Sequence, residues 1–77
     1  MNAERRKQIQ SLIAQVEDLQ SEINGILEAE QESFDNMPEG LQSSERGEKA
    51  EEAIQQLEEA AGYCDEVVNG LHGAVEV

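Results

Sequence analysis

Divided every seven residues, the stretch from Ala50 to Val77 reads AEEAIQQ, LEEAAGY, CDEVVNG, LHGAVEV. Each heptad opens on a small or apolar residue: Ala50, Leu57, Cys64 and Leu71. Ile54, Ala61, Val68 and Val75 are apolar residues at a third position per heptad. A seven-residue period keeps the apolar side of a helix turned toward one partner. The same period aligns three acidic pairs: Glu51-Glu52, Glu58-Glu59 and Asp65-Glu66. One pattern therefore specifies both a helix seam and an evenly spaced row of negative charge.

Upstream, Ile9, Leu12, Val16, Leu19, Ile23 and Ile26 are separated by alternating steps of three and four. That spacing predicts a helix over about residues 2–33 whose a/d seam these residues form, with Ile13 and Leu27 widening it. Between the two patterns lies SFDNMPEGLQSS, residues 33–44. Pro38 cannot occupy a helix interior and disfavours helical geometry at Met37. Asp35 and Asn36 favour turns and caps. A turn is expected over about residues 34–43, in which Pro38–Leu41 can form one helical turn capped by Asn36. The second helix is expected over about residues 44–69, with Ser43 or Ser44 as its cap and Glu45 and Glu48 at its positive end. Gly70 and Gly73 weaken the helix beyond Asn69, so residues 70–77 read as a frayed tail.

Two long helices joined by a short turn fold back on each other, so the expected class is all-α, an antiparallel coiled-coil-like two-helix hairpin in a single domain. Residue numbers that sum to about 76 then lie opposite one another, which sets Leu19 near Leu57 and Leu12 near Cys64. That register also puts Arg5, Arg6 and Lys7 near Asp65 and Glu66, and Arg46 and Lys49 near Glu28, Glu30 and Glu32. A chain of 77 residues has a thin core. A third apolar position per heptad suits a bundle of more than two helices. The expected assembly is therefore a homodimer forming a four-helix bundle, with Ile9, Leu12, Val16, Leu19, Ile23, Ile54, Leu57 and Val68 in the oligomer seam.

Composition narrows function. The net charge is −13, with no base between Lys7 and Arg46 and none after Lys49. Such a chain repels nucleic acid and anionic membrane and is attracted to basic surfaces. Apolar runs are too short to span a membrane, and the polar QIQSLIAQV after Arg5, Arg6 and Lys7 does not make a signal-peptide core. The lone Cys64 permits no internal disulfide, and a cytoplasmic location is expected. Cys64 and His72 are the only residues of their kinds, too few for a zinc site or a paired nucleophile and base. The acids lack the spacing of a calcium loop. No enzyme activity, metal or cofactor is expected.

Three roles remain. In the first, Glu51, Glu52, Glu58, Glu59, Asp65 and Glu66 form a surface that occupies a basic, nucleic-acid-binding site of another protein. In the second, the charge only solubilises a homo-oligomeric structural or adaptor coiled coil. In the third, Ser43, Ser44, Arg46 and Lys49 at the start of the second helix hold a phosphorylated small molecule in an oligomer.

The stretch FDNMPEGLQSSERGEKAEEAIQQLEEA, residues 34–60, resembles small uncharacterised acidic helical proteins encoded by bacteriophages and prophages. The likeness lies in Asp35-Asn36-Met37-Pro38-Glu39, Leu41-Gln42, Ser44-Glu45-Arg46-Gly47-Glu48 and the Ala/Glu heptads after them. The resemblance implies a mobile-element setting, a host-cell cytoplasmic location and a role against host machinery, as DNA mimics and anti-CRISPR proteins have. It favours the first role.

Overall fold

A computed structural model describes residues 1–77 and is entirely helical outside its turns. Helix α1 spans Ala3–Asp35, a four-residue helix α2 spans Glu39–Gln42, and α3 spans Glu45–Glu76. The molecule measures 58 × 15 × 12 Å. A 33-residue helix alone is about 50 Å long, so α3 returns alongside α1 rather than extending it.

Local chemistry sets the ends. Asn2 Oδ1 accepts from the Arg5 backbone N–H at 2.8 Å and caps α1. At the other end Asn36 donates its backbone N–H to the Glu32 carbonyl, and the chain leaves the helix just before Pro38. The Pro38 carbonyl accepts from the Leu41 and Gln42 backbone N–H groups, closing α2. Gln42 Nε2 donates to the Phe34 carbonyl at 3.0 Å and ties α2 to the end of α1.

The expected cap of α3 differs in detail. Ser44 occupies the N-cap position, but its hydroxyl donates to the Leu41 carbonyl and does not cap the helix. Asn36 closes α1 and does not cap α2, where Pro38 stands at the cap position. Gly47, one turn into α3, is buried against α2. A β-carbon there would overlap the carbonyl oxygens of Leu41 and Gln42. The close approach of the short helix to α3 thus requires glycine at this position.

Helix α3 continues beyond Asn69 to Glu76, where the sequence places a frayed tail. Leu71, Ala74 and Val75 remain partly shielded there. Shielding of an apolar stripe offsets the helix penalty of Gly70 and Gly73, about 1 kcal/mol each.

The inward row of α1 is Arg6, Ile9, Ile13, Val16, Gln20, Ile23, Leu27, Glu30 and Phe34; that of α3 is Gly47, Ala50, Ile54, Leu57, Ala61, Cys64, Val68, Leu71 and Val75. Both rows advance by alternating three and four. We label Ile13, Gln20, Leu27, Ile54, Ala61 and Val68 as a positions, and Ile9, Val16, Ile23, Leu57, Cys64 and Leu71 as d positions. The seam of α1 is therefore rotated by about one residue from the expected one. Leu12, Leu19 and Ile26 fall outside it, 46%, 50% and 56% exposed, while Ile13, Gln20 and Leu27 turn inward.

The register also differs. The expected pairing opposes Gln20 to Gln56, but Gln20 Nε2 donates to the Ala61 carbonyl at 2.9 Å and to Asp65 Oδ1 at 2.7 Å. The turn centres near α2, later in the chain than Pro38, which slides α3 along α1 by more than one helical turn. Asp65 is thereby carried away from Arg5, Arg6 and Lys7. The single ion pair in the molecule is Lys49–Glu45 at 3.3 Å, within α3 and exposed. The expected neutralisation of both ends is not made.

Candidate functional site

The two flanks of the helix pair have opposite characters. In each helix the g positions lie beside the d row and the e positions beside the a row. A half-turn about the normal to the plane of an antiparallel pair exchanges the helices and keeps each flank on its own side. Equivalent positions of α1 and α3 therefore share a flank. One flank collects the g residues Leu12, Leu19 and Ile26 from α1 with Ala53, Ala60, Val67 and Ala74 from α3. The other collects the e residues Glu17, Glu51, Glu58 and Asp65.

Charge obeys the same division. Every acid of α1 and α3 except Glu22 and Glu30 sits at a b, e or f position, on the e side or the outer back of the pair. The g flank and its c border, which includes Gln15, Gln56 and Tyr63, carry Glu22 as their one acid along the helices.

All six of the heptad-paired acids are exposed. Five of them, Glu51, Glu52, Glu58, Glu59 and Glu66, have neither an ion pair nor a side-chain hydrogen bond. Asp65 differs, because its carboxylate accepts from Gln20 and so also holds the two helices together. Along α3 the pairs recur about every 10.5 Å, from the 1.5 Å rise per residue. Asp18 and Glu22 of α1 are also exposed.

The seam residues divide. Ile9, Val16, Ile23, Ile54, Leu57 and Val68 lie between α1 and α3, whereas Leu12 and Leu19 stand on the outer g flank. With Gln15, Val16, Asp18 and Glu22 these two leucines line a shallow depression.

At the start of α3, Ser43 Oγ donates to the Glu39 carbonyl and Ser44 Oγ to the Leu41 carbonyl. Lys49 pairs with Glu45, and Arg46 is exposed without an acidic partner. The two hydroxyls turn toward backbone carbonyls and do not converge with the two bases on a common point. Cys64 is buried in the seam and His72 is exposed two turns on. No group of three or more His, Cys, Asp or Glu side chains is placed to share a metal ion. No helix is long and apolar enough to cross a membrane.

Sequence reasoning missed Gln20, Gly47 and the Leu12–Leu19–Ile26 row as a separate surface. The last had a legible signal, since these three residues are spaced by seven. Gln20 carried a weaker one: it lies midway between Ile13 and Leu27, seven residues from each. No known protein family, curated protein or solved structure matches the chain.

Proposed function

We propose that this chain is a non-enzymatic acidic binding protein whose e flank and outer back occupy a basic, nucleic-acid-binding surface of another protein. The observation that carries this reading is the segregation of charge. Acids that served only solubility would be expected around the whole exposed surface, interspersed with lysine. Here they gather on one side, and five of the six heptad-paired acids lack any partner in the molecule. A low-dielectric wall lined by one sign of charge raises the local potential and steers a basic partner toward it. The resemblance to phage and prophage proteins supplies the setting, a host or defence protein that handles nucleic acid, and makes the chain DNA-mimic-like or anti-CRISPR-like.

In this reading the helical hairpin dimerises into a four-helix bundle and presents twice the −13 of one chain. Reversal of Glu51, Glu52, Glu58 and Glu59 to lysine should abolish capture of the partner from host lysate while leaving helical circular dichroism intact. The wild-type complex should dissociate in high salt. Capture that survives the four reversals refutes the mimic.

A homo-oligomeric adaptor is the second reading, favoured by the acid-poor apolar flank. It places function in assembly alone. Leu19→Asp should then abolish assembly and function together, and the charge reversals should leave both in place.

A further inference from the structure

We infer that the acid-poor flank bearing Leu12, Leu19 and Ile26 is the dimer face, covered by a second copy of this chain whose two-fold axis runs along the bundle. This rests on the dimeric part of the proposed function and is independent of what the acids bind.

Three observations select the flank and its occupant. First, the chain exposes 5631 Å², against about 4,700 Å² for a compact monomer of its 8.5 kDa. The excess, roughly 1,000 Å², is close to the ~800 Å² that each partner buries in a stable interface. Second, the large exposed apolar side chains concentrate here: Leu12, Leu19 and Ile26 with Val67, which is 49% exposed. Third, two chains of −13 repel each other, and this flank is the one that lets them meet with the fewest acids between them.

The direction of the axis comes from side-chain size. On this flank α1 presents Leu12, Leu19 and Ile26, and in the register set by the Gln20 bonds α3 presents Ala74, Val67 and Ala60 at the nearest heights. A two-fold axis parallel to the helices preserves height and lays α1 of one copy over α3 of the other. Each large residue then meets a smaller one: Leu12 the partner's Ala74, Leu19 the partner's Val67, and Ile26 the partner's Ala60. An axis across the helices would instead stack α1 on α1, leucine against leucine, and small α3 residues on one another. Interdigitation of large and small residues is what dense packing requires. In the favoured arrangement both Pro38 turns lie at the same end of the bundle.

Sedimentation and spin-label distances test this together. The wild-type chain should sediment at twice its monomer mass at micromolar concentration, and Leu19→Asp should abolish the dimer. For the direction, a Cys64→Ala, Gly40→Cys chain is labelled at the turn, where a new side chain meets open space. The two labels should lie within about 30 Å, since packed helices are spaced about 10 Å apart and the label arms add the rest. A distance near the 58 Å length of the molecule would place the turns at opposite ends. That result overturns the proposed axis and leaves the dimer standing. A wild-type monomer would overturn both, and a dimer unaffected by Leu19→Asp would place the interface on another face.

Discussion

The side-chain amide of Gln20 on α1 donates to the carboxylate of Asp65 on α3 at 2.7 Å. The same nitrogen reaches the Ala61 carbonyl at 2.9 Å, and no other side-chain hydrogen bond joins α1 to α3. A polar residue at an inward heptad position fixes register at some expense of stability. Gln20→Ala should lower the unfolding free energy by about 1 kcal/mol, the usual worth of such a bond. A double-mutant cycle with Asp65→Ala in urea should show the two losses to be non-additive. Gln20→Leu should keep or raise stability while loosening the register. Additive losses would mean that the contact does not hold the helices.

Gly47 is where α2 touches α3. Gly47→Ala should cost about 2 kcal/mol or more, on the order of an overpacked core site, despite alanine's better helix propensity. The measurement is the urea midpoint at constant m-value.

The exposed glycines of α3 should behave oppositely. An added β-carbon at Gly62, Gly70 or Gly73 meets open space. Each alanine substitution should therefore stabilise the helix by about 0.5–1 kcal/mol. Melting temperatures that rise with each substitution would check this, and a fall at Gly70 or Gly73 would reveal a contact made by the end of α3.

Salt should strengthen the fold. One short ion pair offsets little of the −13 charge, so repulsion among acids opposes the folded state. Raising sodium chloride from about 20 to about 500 mM shortens the Debye length several-fold and should raise the melting temperature. Binding to a basic partner should weaken over the same range.

Cys64 is buried between the helices. Its reaction with a thiol reagent should be slow in the native state and should accelerate in urea in step with unfolding. Fast labelling of the folded chain would show that the seam opens locally at this point.

Alternating steps of three and four determined by themselves that two long helices form, and Pro38 with its neighbours determined where the first one ends. Local propensity and period are sufficient for both. The acidic heptads were equally legible, because charge needs no tertiary contact to be counted. Which apolar row of α1 faces α3 was not legible. Leu12–Leu19–Ile26 and Ile13–Gln20–Leu27 are adjacent rows on one helix, and each combines with Ile9, Val16 and Ile23 into a valid seam. The all-apolar row reads as the better one from sequence. Choosing between them is a rotation of the helix about its own axis, which leaves every local hydrogen bond unchanged. Only α3 could decide it, through the two bonds that Gln20 makes to Ala61 and Asp65. That one rotation turns Leu12, Leu19 and Ile26 outward, and it separates an acid-poor flank from an acidic one.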